Sequence, residues 1–334
     1  MVAPQELDIA ILMPKITDYD RTNERYGGLM AELAALGLTA CMVETHASYQ
    51  GDGVFRDARV AIQPQLGYTE RYDGIGFVKP TLVRDLTMPK ESQPLYADAA
   101  RPRLVHDPDF NKILASKSMV YDLLAELQPF TIPRVAHQDV AEAVAAVRGD
   151  RVVVKPDTGS AGQGVIIGEK KSVLEEYEQS EKSGLYVVQE AIDMSRGLAE
   201  HGVEGVHNVR FVVIGGVAIF GFIRSDASGS LTMQNETFEN RTFSPADAFK
   251  SSLHEIVLAG TDKIVTLPDG HNTVFAVDLI RGVNAEGDMR EYVLEVNRRP
   301  LRNSPYDGHD ANTLWASAQW DTHEAAMLKA VAGK

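Results

Sequence analysis

One short stretch constrains this chain more than any other: Val152-Val153-Val154-Lys155-Pro156, then Asp157-Thr158-Gly159-Ser160-Ala161-Gly162-Gln163-Gly164, then Val165-Ile166-Ile167. β-Branched runs on both sides of a small-residue loop favour two strands joined by a turn. The order of the parts excludes two common phosphate loops. In a P-loop the glycines come first and the lysine opens a helix. In a dinucleotide fold, G-x-G-x-x-G leads into a helix. Here Lys155 ends a strand, the spacing is G-x-x-G-x-G, and a second strand follows. Two readings are open. One is a flexible β-hairpin flap whose backbone N–H groups, at Gly159, Ser160, Gly162 and Gly164, close over phosphates above a fixed ammonium. The other is an ordinary hairpin with a small-residue turn.

Bulk properties narrow the class. At 334 residues the chain exceeds one ordinary core, so two or three packed units are expected. Hydrophobic content of 44% and charged content of 24% fit a globular protein without disordered or fibrous bias. A net charge of −14 argues against an extended nucleic-acid surface, while leaving room for a local basic pocket. The single cysteine, Cys41, excludes an intrachain disulfide and reads as a buried core thiol in a reducing cytosol. The start, Met1 to Asp8, shows no basic segment followed by a long apolar one, and no run approaches a membrane span. A cytoplasmic protein without membrane partners is expected.

Along the chain, the first hundred residues read as an α/β unit. Asp8–Met13 is a buried-strand run, Tyr26–Leu36 has helical spacing with Gly37 as its C-cap, and Leu38–Val43 is a second strand. That order predicts a parallel pair with a right-handed crossover. A further apolar run, Gly74 to Val78, precedes Lys79-Pro80. A helix is predicted over 117–127, an extended segment over 131–135, and a short helix over 140–147. From residue 185 the pattern turns strongly β. Leu185–Glu190 is one strand, and Arg210–Ile214 with Val217–Phe220 form a hairpin about Gly215-Gly216. Residues 225–252 are polar and read as a long loop with little regular structure. Strands at 274–280 and 292–296 are joined by a turn with Asn284, Gly287 and Asp288, and a helix over 313–331 closes the chain.

The last strand pair carries the second chemical signal. Asp278 interrupts an apolar strand, and Glu295 and Asn297, two apart, share one face of its neighbour. Two carboxylates buried together repel and desolvate poorly. A hard cation with oxygen ligands, such as Mg²⁺, resolves that conflict, and a solvated strand end is the alternative. Basic groups are the third element: Arg210 and Arg224 on the Gly-Gly hairpin, then Arg298, Arg299 and Arg302 after the acidic strand. Ideal pairing about the turn sets Arg210 opposite Gly221 and Arg224 opposite His207, on different faces. Joint action of the two arginines therefore requires a bulge or a strand end near Arg224. Singly these arginines read as solvated. As a group bracketing the acids they suit a clamp for phosphoryl and carboxylate oxygens.

Taken in order, these elements resemble the ATP-grasp superfamily from about Asp107 to Asn303. Lys117, at the start of a helix before an I-P-x segment, is similar to the family's first phosphate lysine, and Lys155 to its second. Val188-Gln189-Glu190-Ala191-Ile192 is similar to the linker that reads adenine, with Gln189, Glu190 and Ile192 as its contacts. Asn208-Val209-Arg210 stands where D-x-R is usual, and Arg224 falls at the matching offset. Asp278, Glu295 and Asn297 resemble the metal ligands. The resemblance implies an α/β fold, α+β in the C-terminal half. It has an N-terminal α/β domain (1–106), a lid with the glycine-rich flap (107–187) and an antiparallel-sheet domain with the metal site (188–334). It implies ATP with one or two Mg²⁺ (or Mn²⁺), and a ligase that joins a small carboxylic acid to an amine through an acylphosphate. Arg210, Arg224 and Arg299 are its implied catalytic residues, Arg299 being placed to stabilise an oxyanion.

The chain also departs from that pattern. Asn208 replaces an acid, and the polar loop lacks the F-R-x-N-x-x-x-G-G sequence of glutathione-synthetase-like and ribosomal-protein-modifying ligases. Glu295-Val296-Asn297-Arg298-Arg299-Pro300 is closer to the E-x-N-P-R-P form of purine-biosynthesis, carboxylase and amino-acid-ligase branches. A purine-pathway or bicarbonate-type ligase stays open as an alternative, as does an ATP-binding protein or phosphotransferase without ligase turnover. His106, His201 and His207 read as partly exposed polar residues, Trp315 and Trp320 as packing residues, and His309-Asp310 and Tyr68–Tyr72 as possible substrate walls. A homodimer is the default for a soluble enzyme of this size.

Overall fold

The apolar runs pair into three successive sheets in a computed structural model that describes residues 3–13, 19–44, 46–62, 71–86, 94–105, 108–159, 162–180, 184–225, 239–242, 252–298, 300 and 311–334. The first sheet is built from β1 (Gln5–Met13), β2 (Ala40–Glu44), β3 (Tyr49–Gly51), β4 (Val54–Ile62), β5 (Arg71–Asp85) and β6 (Arg103–Val105), with helices α1 (Tyr19–Ala35) and α2 (Pro94–Ala97). Its order is β3-β4-β2-β1-β5-β6. β1 is parallel to β2 and β5, as the strand–helix–strand order predicts, whereas β4 runs antiparallel to its neighbours. Cys41 lies in this core, its thiol pKa pushed up to about 12 by burial, which fits an inert core thiol.

The second sheet, order β7-β10-β8-β9, is antiparallel throughout. Helices α3 (Pro108–Ala115) and α4 (Lys117–Leu124) precede β7 (Thr131–Val135). Then come α5 (Val140–Ala146), β8 (Arg151–Pro156), β9 (Ile166–Glu169), α6 (Lys170–Gln179) and β10 (Tyr186–Glu190). The helix predicted over 117–127 is α-helical only to Leu124 and tightens to a 3₁₀ turn at Ala125–Leu127 before Pro129. Val152, Val154, Ile166, Tyr186 and Val188 turn one face of the sheet toward Val144, Val173 and Tyr177 of α5 and α6. Alternation leaves Val153, Lys155, Val187 and Gln189 on the other face.

The third sheet, order β13-β12-β11-β14-β15, is also antiparallel. It comprises β11 (His207–Ile214), β12 (Val217–Ser225), β13 (Glu239–Thr242), β14 (Val274–Val283) and β15 (Met289–Asn297), with helices α7 (Ser252–Val265) and α8 (Ala311–Ala332). The polar stretch read as a loop thus contains a strand, since β13 extends the edge of β12. Val209, Phe211, Ile223, Val277, Leu279 and Val293 pack one face against Val257 and Ile264 of α7. The other face presents Asn208, Arg210, Asp278 and Glu295, and further along Val212 and Phe222 join Trp320 of α8 and Leu29 of α1. Trp320 is a packing residue, as its sequence context implies, and its indole donates to Glu324 Oε2 at 2.6 Å.

The Gly-Gly hairpin departs from ideal register. Ile214 faces Val217 and Val213 faces Ala218, but Val212 faces Phe220, so Ile219 is an extra residue. This bulge moves the pairing by one. Arg210 stands opposite Phe222 rather than Gly221, and Arg224 opposite Asn208 rather than His207. A one-residue shift reverses the face of a strand, so Arg210 and Arg224 share one face. The required bulge lies by the turn, far from Arg224.

Candidate active site

The inward faces of the second and third sheets bound a cavity of about 230 Å³. Lys117, Lys155, Gly159 and Gln189 line one side, and Glu295, Asn297 and Arg298 the other, with Leu114, Val120, Val187 and Leu294 between. β8 delivers Lys155 into this wall as a buried side chain. Its Nζ donates to Gln189 Oε1 at 2.8 Å, Gln189 Nε2 donates to Thr131 Oγ1 at 2.7 Å, and Thr131 Oγ1 donates to the Pro129 carbonyl at 2.8 Å. The ammonium is therefore held in place by a chain of polar contacts, as the flap reading requires. Burial pulls its pKa down to about 8, Glu295 opposing and Lys117 adding to the fall. Lys117 Nζ reaches the Gly159 carbonyl at 3.4 Å, and burial lowers its pKa too, against the charges of Glu295 and Asp157.

Behind the Glu295 and Asn297 wall, Asp278 of β14 stands directly opposite Arg210 on one side and Glu295 on the other. Arg210 grips Asp278 with two hydrogen bonds, Nε to Oδ1 at 2.6 Å and Nη2 to Oδ2 at 2.5 Å. Asn297 Nδ2 donates to Asp278 Oδ2 at 2.8 Å and to Glu295 Oε1 at 2.9 Å, so the three candidate ligands converge. Burial and the neighbouring Asp278 raise the Glu295 pKa, while Asn297 and Arg210 partly offset them. Burial works against the Arg210 charge, but Asp278 outweighs it and the pKa is raised. Among the described residues no three His, Cys, Asp or Glu side chains form a metal cluster. Two carboxylates and one amide remain, an all-oxygen donor set when the amide oxygen is used. That set fits Mg²⁺, which completes its shell with water and phosphate. Glu295, whose ionisation is opposed by burial and by Asp278, marks a place short of positive charge.

Arg224 is half-buried, with its guanidinium over the Phe222 ring at 5.1 Å, and burial together with Arg210 lowers its pKa. Among the described residues it has no carboxylate partner. Arg298 donates from Nη1 to the Asn111 carbonyl at 3.3 Å. Two of the linker residues are not brought to the cavity wall. Strand alternation turns Glu190 away from Gln189, and Glu190 Oε1 accepts from Ala285 N in the β14–β15 turn. Ile192 packs with Ile280 and Tyr292. His207 is buried rather than partly exposed; Nδ1 lies 2.9 Å from the Gly205 carbonyl and Nε2 accepts from Arg281 N, so it is a structural residue. Ser160, Arg299, Arg302, His106, His309, Asp310 and Tyr68 lie outside the described residues.

Gly159, Gly162 and Gly164 all have positive φ. At Gly164 a Cβ would stand 2.9 Å from Pro156 Cγ, so the end of the loop closes on its beginning where only glycine fits. Sequence reasoning passed over Asp157, Thr131 and Gln128. The signal for Asp157 was there in Ser116, an N-cap residue type just before Lys117.

Neither a protein-family model nor a curated protein matches the sequence. Solved structures do. The D-Ala:D-Ser ligase VanG from Enterococcus faecalis superposes with a TM-score of 0.60 at 12% identity, covering 98% of this chain and 100% of that one. The D-cycloserine synthetase DcsG gives 0.57 at 16%, covering 96% and 100%. The ATP-grasp ligase PsnB with its minimal precursor gives 0.53 at 16%, covering 95% and 99%. The fold is ATP-grasp. Helix α4 and strand β8 of the second sheet carry the two lysines and the third sheet carries the acids, in the order in which the sequence presents them.

Proposed function

We propose that the protein is an ATP-dependent ligase joining a carboxylate, an amino acid or peptide-like acid, to an amine, with release of ADP and phosphate. One observation carries this reading: two ammonium groups face Glu295 and Asn297 across one cavity, and Asp278 is hydrogen-bonded to Asn297 behind that wall. Such an arrangement suits a triphosphate bound lengthwise. Phosphoryl transfer needs charge neutralisation and alignment more than covalent help. Lys155 and Lys117 hold the phosphates from one side. Asp278, Glu295 and Asn297 would hold Mg²⁺, whose positive charge when bound offsets that of the phosphates.

In the reaction, a carboxylate oxygen of the acid attacks the γ-phosphorus, and the bond to the β,γ-bridging oxygen breaks to leave ADP. The amine nitrogen then attacks the acyl carbon, phosphate departs, and the nitrogen loses a proton. Arg224, a cation without an ion-pair partner among the described residues and on the same face as Asp278, is suited to neutralise the transferring oxygens, with Arg210 and Arg299 in support. The activity of proteins that share the fold supports the reading: VanG is a D-Ala:D-Ser ligase and DcsG a D-cycloserine synthetase. We assign residues 1–106 to an N-terminal domain, 107–187 to the lid and 188–334 to the domain with the acids.

The test is a screen of amino-acid pairs for phosphate release, with mass analysis of the products. Release that depends jointly on an acid and an amine, with an amide product, is the expected result. A stable phosphorylated acid with no amine dependence would make the protein a phosphotransferase instead.

A further inference from the structure

Asp157 ties the two lysine-bearing segments together. Ser116, Lys117 and Ser118 are consecutive at the start of α4, and each donates a hydrogen bond to this one residue. Ser116 Oγ reaches Asp157 Oδ2 at 2.8 Å, Lys117 N reaches the Asp157 carbonyl at 2.9 Å, and Ser118 N reaches Oδ1 at 2.7 Å. Asp157 is itself buried. It lies two residues after Lys155 and two before Gly159, whose carbonyl holds Lys117 Nζ. Ser118 Oγ also accepts from Arg134 N of β7 at 3.0 Å.

The first N–H groups of a helix have no partner within it. In α4 those of Lys117 and Ser118 go to Asp157, and that of Met119 goes to Ser116 Oγ at 3.2 Å. The helix end is thus filled by a carboxylate from the chain itself, and α4 presents Lys117 and Val120 to the cavity. A lysine side chain is long and has about 2 kcal/mol of rotamer entropy, so its placement depends on how firmly its backbone is held. Two such groups on separate segments act on one phosphate tail only when those segments keep a common register.

We propose that Asp157 is a positioning residue that locks the α4 turn bearing Lys117 to the strand bearing Lys155, so that both ammonium groups grip the same nucleotide phosphates. This role rests on the nucleotide reading of the cavity. A carboxylate suits the task because it accepts on two oxygens at once. Asparagine in its place keeps the acceptor for Ser118 N and can donate to Ser116 Oγ. Alanine loses both side-chain bonds.

The test compares wild type, Asp157→Asn and Asp157→Ala in two measurements: hydrogen exchange of the Ser118 amide without nucleotide, and calorimetric binding of the ATP analogue AMPPNP with MgCl₂. In Asp157→Ala the Ser118 amide should exchange faster and the analogue should bind at least about tenfold more weakly, as misplacement of binding groups by about 1 Å predicts. Asp157→Asn should recover most of both. Ser116→Ala, which removes one of the three bonds to Asp157 and also the cap on Met119 N, should fall between and serves if Asp157→Ala does not fold. Unchanged exchange, or faster exchange with unchanged analogue affinity, overturns the positioning role. Wild-type protein that binds no analogue overturns the nucleotide reading, and the role with it, while the exchange result still reports the clamp.

Discussion

Arg210 and Asp278 face each other on adjacent strands and share two parallel hydrogen bonds, both side chains being buried. The arginine has an electrostatic task within the protein itself. It compensates a carboxylate that has Glu295 as its other neighbour, and so makes the acidic pair tolerable inside the protein. Removal of one partner from a buried ion pair leaves an uncompensated charge and costs about 3–5 kcal/mol. Arg210→Ala should therefore lower the unfolding free energy by about that amount in urea titrations. A loss below about 1 kcal/mol would show that the site is wet enough to need no such partner.

Glu295 should behave in the opposite sense. Its raised pKa means that the folded protein holds a proton more firmly than the unfolded chain does. Stability therefore falls as pH rises from the ordinary carboxylate range through the folded pKa. Glu295→Gln removes that dependence and should raise the melting temperature of the metal-free protein by a few degrees. It should also abolish turnover, because one of the oxygen donors proposed for Mg²⁺ is lost. Retained turnover would remove Glu295 from the site.

Lys155 gives a pH signature on the alkaline side. With a free-enzyme pKa of about 8, its ammonium is lost as pH rises through that value. The profile of kcat/KM for ATP reports free-enzyme groups, so it should decline above pH ~8. Stability moves the other way. The unfolded lysine keeps its proton to higher pH than the folded one, so the stability increases from about pH 8 toward the ordinary lysine value. Lys155→Ala should abolish turnover and flatten that alkaline rise in stability, read by thermal melts across pH.

The strands and their chemistry were legible in the sequence wherever a local pattern decided them. Val152–Lys155, the Gly-Gly turn and the Asp278–Glu295–Asn297 set all occupy the elements that alternation and turn chemistry assign. What escaped was set by contacts between distant segments. The bulge at Ile219 leaves no mark in the sequence, yet it decides that Arg210 and Arg224 share a face. β13 hides in a polar stretch because an edge strand needs little apolar character when its partner supplies the ladder. Gln189 and Glu190 are adjacent in the linker, and period-two alternation sends their side chains to opposite faces, so that the Glu190 carboxylate meets Ala285 N of a distant turn. Asp157 reads as a loop residue, and its role appears only once Ser116 to Ser118 lie beside it.

Gly164 should be intolerant of a side chain for two reasons that act together. Its φ of +70° is costly for an alanine, and the added methyl would press on Pro156 Cγ. Strain of this kind costs about 1–3 kcal/mol. Gly164→Ala should weaken ATP binding or turnover, because the loop yields before the packed sheets do. Equal losses in global stability and none in nucleotide affinity would place the loop outside the site.

Asn208 and Arg224 form an unusual cross-strand pair. They stand directly opposite each other, and Asn208 is buried with its Oδ1 unpartnered among the described residues. Arg224 has the Phe222 ring beneath it and, among the described residues, makes no ion pair. A neutral amide at 208 thus leaves the full charge of Arg224 directed at whatever anion enters. An aspartate at that position would pair with Arg224 and cancel it. Asn208→Asp should therefore lower turnover by about 10²-fold, the range seen when one charge-stabilising donor is lost, while the protein stays folded. Arg224→Ala should produce a similar loss, and the double variant should be no worse than either single one, since both changes remove the same interaction. Full additivity of the two losses, or wild-type turnover in Asn208→Asp beside an inactive Arg224→Ala, would show that Asn208 does not govern the charge Arg224 offers.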